Sequence, residues 1–126
     1  METNNTKTVL VVDDDPSLLW VLGENIKKSG FDVIQAGDGN QALNIAMEKH
    51  PDLILVDIMM PQKSGLEFLQ KLRQDEWGKT VPVFVLTSFD ADVEAEARQY
   101  GIDEYLIKKD WLPEQITEKI KMRLGI

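Results

Sequence analysis

Three short runs of apolar residues limit what this chain can fold into more than any other feature. They cover residues 9–12 (VLVV), 53–56 (LILV) and 83–86 (VFVL), and none of them alternates with polar residues. A strand with one solvent-facing side alternates, whereas a parallel strand buried on both faces does not. Two weaker runs, residues 31–34 and 105–107, fit further strands, the first of them near a sheet edge. The chain is therefore predicted to contain a buried parallel sheet.

Stretches with helical periodicity alternate with these runs. Pro16 and Pro113 are placed for first helical turns, and Gly30 and Gly101 are placed for helix ends. The alternation predicts five successive βα units, which right-handed crossovers arrange as a doubly wound α/β sheet with helices on both faces. The apolar residues that recur at helical spacing are Leu18, Leu22 and Ile26; Ala42, Leu43, Ala46 and Met47; Leu66, Leu69 and Leu72; Val93, Ala97 and Tyr100; and Leu112, Ile116, Ile120 and Leu124.

Composition excludes several classes of protein. The chain has 22 acidic against 14 basic side chains, and the formal charge of −8 disfavours binding of nucleic acid by this chain. The sequence has no cysteine, so a disulfide framework and a thiolate metal site are excluded. No apolar run approaches the roughly 20 residues of a membrane span, and the N-terminal METNNTKT does not resemble a signal peptide. We expect one cytoplasmic domain, residues 1–126, with residues 1–7 as a disordered tail.

Polar side chains follow four of the five predicted strands. Any one of these side chains alone has an ordinary structural interpretation. An aspartate after a strand, for example, is a common helix N-cap, and Pro16 favours that role for Asp15. Because the carboxyl ends of parallel strands meet at one edge of a sheet, their occurrence at successive strand ends predicts a functional site there. The residues are Asp13, Asp14 and Asp15 after the first strand, Asp57 after the third, Thr87 ending the fourth, and Lys108 after the fifth.

These residue types restrict the chemistry of the predicted site. Clustered carboxylates without histidine or cysteine suit a hard cation such as Mg²⁺, with Mn²⁺ as a substitute. Without a cation the carboxylates repel one another. A bound cation together with Lys108 would balance their charge, and Thr87 could donate a hydrogen bond to a phosphoryl oxygen. The set therefore predicts phosphoryl transfer to a carboxylate.

The order and spacing of these residues resemble the receiver domain of bacterial two-component response regulators over essentially the whole chain. The matching segments are the acidic pair after residues 9–12, DLILVDIMMPQKSGLE around Asp57, VFVLT ending at Thr87, and DEYLIK ending at Lys108. The resemblance implies a flavodoxin-like, three-layer fold whose five parallel strands have the order 2-1-3-4-5.

The resemblance also implies a phosphorylation site and a metal site. Asp57 would accept a phosphoryl group from the phosphohistidine of a sensor histidine kinase or a histidine phosphotransfer protein. Asp13, Asp14 and Asp57 would hold Mg²⁺ together with the backbone carbonyl of Met59. The chain would catalyse only its own phosphorylation and dephosphorylation, so we do not expect an enzyme in the usual sense.

A conformational switch is a further implication of the resemblance. Lys108 would pair with the phosphoryl group, Thr87 would hydrogen-bond to it, and Tyr105 would change rotamer together with Thr87. The output surface would be the fourth helix, fifth strand and fifth helix, roughly residues 90–124. That surface would signal to a separate protein or an attached output domain, with phosphorylation-dependent dimerisation as one form of the response.

Lys109 stands where the family commonly has proline, so the loop after the fifth strand is expected to differ. The doubled lysine makes the assignment of the site lysine ambiguous, and Lys108 is preferred because Tyr105 lies three residues before it.

Met59 and Phe89 lie two residues after Asp57 and Thr87, where the side chains of family members influence the rate at which the phosphoryl group is hydrolysed. Because both are bulky and apolar, we hypothesise that they exclude water and prolong the phosphorylated state.

Other functions compete with this interpretation. The segment DDDPS at residues 13–17 fits the Asp-x-Asp-x-Ser/Thr motif of small haloacid-dehalogenase-like phosphatases, with Thr87 and Lys108 as later motifs. That family's acidic pair after the lysine is missing, and Asp57 would have no role. A pseudo-receiver that serves only as an interaction module is the second alternative, and the complete set of site residues argues against it.

Overall fold

The computed structural model describes residues 6–126, apart from the side chain of Lys63. Short 3₁₀ helices lie at Pro61–Lys63 and Lys108–Asp110. The predicted disordered tail lies largely outside the described residues, although the backbone carbonyl of Lys7 accepts a hydrogen bond from the Asp32 amide at 2.9 Å. The strands and helices are β1 (Thr8–Val12), α1 (Pro16–Lys28), β2 (Asp32–Ala36), α2 (Gly39–Lys49), β3 (Leu53–Val56), α3 (Ser64–Gln74), β4 (Val83–Thr87), α4 (Ala91–Arg98), β5 (Glu104–Ile107) and α5 (Pro113–Leu124).

The five strands form one parallel sheet in the order β2-β1-β3-β4-β5, which confirms the predicted fold class and strand order. The predicted edge strand, β2, does lie at an edge. It begins one residue later than the apolar run at 31–34 and extends to Ala36, because its register pairs Asp32 with Thr8 and Ala36 with Val12.

Each face of the sheet is covered by helices, which explains why the central strands show no alternation. In β1, Leu10 and Val12 face a core formed with α2 and α3, and Val9 and Val11 face a core formed with α1 and α5. All four side chains are at most 1% exposed. Burial on both faces makes every position of the central strands apolar, and the polar groups of the site begin only where the strands end.

Local signals set the helix ends next to the site. The Asp15 carboxylate accepts hydrogen bonds from the amides of Ser17 and Leu18 and caps α1, with Pro16 in the first turn, as predicted. Gly30 and Gly101 follow α1 and α4 with φ values of 98° and 71°, in the left-handed region that favours glycine.

Gly65, in the first turn of α3, lets this helix approach the end of β3. A Cβ atom at this position would lie 2.6 Å from the carbonyl oxygen of Asp57 and even closer to the Cα atom of Ile58. Backbone cannot move aside as a side chain can. By contrast, a Cβ atom on Gly23 in α1 would meet mainly the flexible amide of Gln35.

We expect Gly65→Ala to lower the free energy of unfolding by about 3 kcal/mol, because the new methyl group separates α3 from β3. Gly23→Ala serves as the matched control and should be neutral or stabilising by up to about 1 kcal/mol, since alanine is the better helix former. Urea unfolding followed by circular dichroism measures both. Equal effects of the two substitutions would contradict the close approach of α3 to Asp57.

Candidate functional site

The four predicted strand ends meet at one edge of the sheet. Asp13 follows β1, Asp57 follows β3, Thr87 ends β4 and Lys108 follows β5. Backbone hydrogen bonds fix the two aspartates: the Asp13 amide donates to the carbonyl of Ala36 at 3.1 Å, and the Asp57 amide donates to the carbonyl of Val12 at 2.9 Å. Asp13 and Asp57 are only 2% and 5% exposed, and Thr87 is fully buried. The structure thus brings together side chains that are up to 95 residues apart in sequence (108 − 13).

Both carboxylate oxygens of Asp57 accept hydrogen bonds. Oδ1 accepts from the Thr87 hydroxyl at 2.7 Å and from the Met59 backbone amide at 2.9 Å. Oδ2 accepts from the Lys108 ammonium at 2.8 Å. A buried carboxylate is costly unless its charge is balanced and its lone pairs are satisfied, and these three donors meet that requirement.

Lys108 is the cation that joins the two buried carboxylates. Its Nζ lies 2.9 Å from Asp13 Oδ2 and 2.8 Å from Asp57 Oδ2. Burial by itself lowers the pKa of Lys108, but the hydrogen bonds and charges of Asp57 and Asp13 outweigh it and raise the pKa above the usual lysine value. The neighbouring Lys109 is exposed. Lys108, and not Lys109, is therefore the lysine that contacts both buried carboxylates.

The site disfavours the ionised form of the Asp13 carboxyl. Burial raises the pKa of its carboxyl above the ordinary value of 3.8, with a further contribution from the negative charge of Asp57. Hydrogen bonds from Lys108 and the Asp15 amide oppose this rise without cancelling it. The ionised form of Asp13 is thus less favourable in the folded protein than in the unfolded chain.

Asp13, Asp14 and Asp57 can direct one carboxylate oxygen each to a common point, since these atoms lie within 4.8 Å of one another. Asp14 is exposed, whereas the other two are buried. Three oxygen donors of this kind fit a hard divalent cation, and the excess of carboxylates over the single ammonium leaves negative charge for such a cation to balance. The predicted cation site is thus compatible with the observed donor set.

Tyr105 on β5 has a buried hydroxyl with no hydrogen-bond partner among the described residues. Burial raises the pKa of this phenol, and the carboxylates of Glu94 and Asp90 raise it further. The Arg98 guanidinium lies 5.8 Å from the centre of its ring. An unsatisfied buried hydroxyl costs about 1 to 3 kcal/mol, which disfavours the present position of the Tyr105 hydroxyl.

The remaining predicted positions lie on the surface around the site. Met59 is 43% exposed and Phe89 is 64% exposed, so both present large apolar side chains to solvent. Lys109 lies in the 3₁₀ helix Lys108–Asp110, and the described residues have no cis peptide bond. The loop after β5 therefore takes a short helical form at the position where the family commonly has proline.

Arg73 organises the opposite end of the structure, a role that the sequence did not predict. Its guanidinium donates to the carbonyls of Tyr100, Gly78, Val81 and Gly101 at 2.7 to 3.0 Å. It thereby ties the C-terminal end of α4 to the loop that precedes β4. No sequence pattern distinguishes it from an exposed arginine in the last turn of an amphipathic helix.

The chain matches a known protein family over most of its length. The model of the response regulator receiver domain matches residues 9–121, and the chain therefore belongs to this family. The match includes every site residue described above and all residues of the five strands except Thr8. Among the described residues, no helix is long and apolar enough to cross a membrane.

Two similar proteins differ in length. The polar-differentiation response regulator DivK of Brucella ovis is 39% identical over 121 residues, which cover 95% of this chain and 98% of DivK. The alkaline phosphatase synthesis transcriptional regulatory protein PhoP of Bacillus subtilis is 36% identical over 116 residues, which cover 91% of this chain. The aligned segment covers 47% of PhoP, so this chain spans about half of that protein's length.

Solved structures show the same fold. The chemotaxis response regulator CheY4 of Vibrio cholerae superposes with a TM-score of 0.85 at 28% identity, covering 94% of this chain and 98% of CheY4. A CheY-like receiver domain protein from Methanospirillum hungatei superposes with a TM-score of 0.88 at 25% identity, covering 96% and 95% of the two chains.

The raised pKa of Asp13 predicts a pH-dependent effect of Asp13→Asn. The folded state holds this proton more tightly, so wild-type stability falls as pH rises through the interval between 3.8 and the higher folded-state pKa. Asparagine mimics the protonated form, so we expect the variant to be more stable than wild type at pH 7. The difference should disappear at about pH 3, below both pKa values.

Asp15→Asn is the matched control for this measurement, because it removes the adjacent charge while asparagine still caps α1. Urea unfolding at a series of pH values gives the stability of each variant. A less stable Asp13→Asn at pH 7 would show that the ion pair with Lys108 outweighs the burial cost.

Proposed function

We propose that this receiver domain accepts a phosphoryl group on Asp57 from a phosphohistidine of a sensor kinase or a phosphotransfer protein. The observation that carries the proposal is the set of contacts around Asp57, a buried carboxylate to which Lys108 and Thr87 both donate. An Asp57 oxygen forms the new bond to phosphorus as the bond to the histidine nitrogen breaks. The imidazole leaves with that electron pair and is neutral once it has one ring proton.

Lys108 and Thr87 are placed to stabilise the negative charge as it passes from the Asp57 carboxylate to the phosphoryl oxygens. Both now donate to the Asp57 carboxylate, one to each oxygen. When Asp57 becomes an acyl phosphate, its own charge is lost and the phosphoryl oxygens carry the negative charge instead. The ammonium and the hydroxyl then find their strongest acceptors on the phosphoryl group.

We assign Mg²⁺, with Mn²⁺ as a substitute, to Asp13, Asp14, Asp57 and the backbone carbonyl of Met59. The three carboxylates, one of them exposed, are oxygen donors of the kind that this cation prefers. When bound, the cation supplies positive charge that balances the phosphoryl oxygens. Asp13 and Asp57 share Lys108 as their counter-ion, and Asp14 has no described ion pair with a residue of 6–126.

The signal is proposed to pass through Thr87 and Tyr105 to α4, β5 and α5. Redirection of the Thr87 hydroxyl toward the phosphoryl group changes the space next to β5. The unpartnered hydroxyl of Tyr105 provides a reason for this ring to take another rotamer. Phosphorylation would thus shift a two-state equilibrium of the surface at residues 90–124.

The receiver is proposed to work in the cytoplasm and to act on a downstream protein or an attached output domain, with dimerisation on phosphorylation as one route. It would catalyse only its own phosphorylation and dephosphorylation. The phosphatase alternative has no support, since the family match covers residues 9–121. The pseudo-receiver alternative is disfavoured because Lys108 contacts both Asp13 and Asp57, and Thr87 contacts Asp57.

We expect incubation with acetyl phosphate and Mg²⁺ to add one phosphoryl group to the wild-type protein. Asp57→Asn should abolish the addition, because the amide is not a nucleophile of comparable strength. Asp52→Asn is a suitable control and should be phosphorylated like the wild-type protein. Its carboxylate lies before β3, away from the site, and accepts a hydrogen bond from the Thr8 amide. Intact-protein mass spectrometry measures the addition. Unchanged phosphorylation of Asp57→Asn would refute the proposed acceptor.

Mg²⁺ is expected to raise the melting temperature of the wild-type protein, since a ligand that binds only the folded state stabilises it. Asp14→Asn should remove most of this shift, because it deletes one proposed cation ligand. Asp15→Asn removes the same charge one residue away and should retain the shift. Differential scanning fluorimetry with and without Mg²⁺ tests both. Equal shifts in the two variants would exclude Asp14 as a ligand.

The apolar side chains of Met59 and Phe89 should prolong the phosphorylated state by hindering access of water. We expect Met59→Ala and Phe89→Ala each to accelerate loss of the phosphoryl group several-fold. Leu112→Ala, which also truncates an exposed apolar residue, should leave the rate unchanged. Decay of radiolabelled phosphoprotein gives the rates. Loss from the wild-type protein within seconds would be incompatible with this role.

A further inference from the structure

A groove lies between the loop after β3 and helix α4, on the side of α4 that faces α3. It encloses about 360 Å³, and none of its lining residues belongs to β5 or α5. It therefore shares only α4 with the expected output surface at residues 90–124 and opens on the other side of this helix from β5 and α5. The lining residues of this α4 groove are Ile58, Met59, Met60, Leu66, Asp90, Asp92, Val93 and Glu96.

The floor of the α4 groove is apolar and its rim is acidic. Ile58, Met60 and Leu66 are at most 7% exposed and form the bottom together with Val93. The groove is open because α4 is rich in small and acidic residues (ADVEAEAR) and buries only Ala97 completely. Methionine in its wall suits a surface that adapts to an inserted apolar side chain.

The rim is negatively charged and no basic side chain of the described residues pairs with it, although Asp90 accepts hydrogen bonds from the amides of Asp92 and Val93 as the N-cap of α4. Three carboxylates line the groove, and no lining residue is basic. Among residues 6–126, Arg98 is the only basic residue of α4, and it pairs with Glu94 outside the groove at 2.8 Å. No ion pair of the described residues involves Asp92 or Glu96. An occupant of the groove should therefore supply positive charge at its rim.

We propose that the α4 groove is a docking site for a helical segment of a partner protein that inserts an apolar side chain between flanking lysine or arginine residues. The apolar floor would take the side chain, and the rim carboxylates of Asp92 and Glu96 would orient the segment. An apolar anchor in a pocket supplies affinity, while the complementary rim supplies specificity and faster association.

A second copy of this chain is the less suitable occupant. The exposed Met122 on α5 does lie between basic residues, but each of these already has an acidic partner in its own chain. Lys121 pairs with Glu118, Lys119 with Glu104 and Arg123 with Asp103. Two chains that each carry a formal charge of −8 also repel one another.

The walls of the α4 groove are continuous with the two strand ends of the site. Ile58, Met59 and Met60 directly follow Asp57, and Asp90 lies three residues after Thr87. A segment in this groove therefore contacts both loops that carry the acceptor and its hydroxyl donor. Docking itself does not depend on the proposed phosphorylation and can be measured on the unmodified protein.

A short amphipathic helical peptide of leucine and lysine is the probe. We expect it to bind the wild-type protein, to shift the methyl NMR signals of Ile58, Met60 and Val93, and to leave those of α5 unchanged. The double variant Asp92→Lys, Glu96→Lys should bind about tenfold more weakly by fluorescence anisotropy. A leucine and glutamate peptide of the same length should not bind.

The double variant Glu48→Lys, Glu114→Lys is the matched control. It makes the same change of total charge on two other helices, with one position again in a first helical turn. Its affinity for the peptide should stay within about twofold of wild type. Circular dichroism verifies that both double variants are folded.

Three results would overturn the proposal. The first is equal weakening in the two double variants, which would mean that the peptide responds only to total charge. The second is the absence of methyl shifts in the α4 groove. The third is concentration-dependent self-association by sedimentation that Asp92→Lys, Glu96→Lys abolishes, which would make a second copy the occupant.

Discussion

The bridge that Lys108 forms between Asp13 and Asp57 is the interaction on which the rest of the site depends. Two carboxylates with little exposure stand side by side, and such an arrangement is stable only with a cation in direct contact. The bridge joins the ends of β1 and β3 to the segment after β5, so it also ties an outer strand to the sheet centre. Because one ammonium balances only part of the acidic charge, the site retains an affinity for further positive charge.

The contacts of Asp57 also link its chemical state to the conformation of the surrounding loops. Asp57 is satisfied by three donors from three segments, namely the Thr87 hydroxyl, the Met59 amide and Lys108. A modification of Asp57 would therefore redistribute contacts in the loops after β3, β4 and β5 at once. α4 is attached at its C-terminal end through Arg73 and borders a groove near its N-terminal half. A helix held in this way is suited to respond to changes at Thr87.

Much of the site could be predicted from sequence because parallel strands end at a common edge. The apolar runs located the strands, and the polar residue after each run was then placed at that edge by topology alone. Lys108 could be preferred to Lys109 from its sequence separation from Tyr105, and in the structure Lys108 contacts Asp13 and Asp57 whereas Lys109 is exposed. The start of β2 could not be placed to the residue, because its register depends on pairing with β1.

The sequence by itself determined the order of elements, the buried sheet and which polar residues follow the strand ends, because periodicity and strand-end chemistry are local properties. Only the tertiary structure decided the Arg73 contacts, the unpartnered hydroxyl of Tyr105 and the α4 groove. Each of these depends on the packing of segments that are distant in sequence, and no local pattern records it. An arginine, a tyrosine and an acidic helix look ordinary in sequence, and what they do follows from the surfaces they meet.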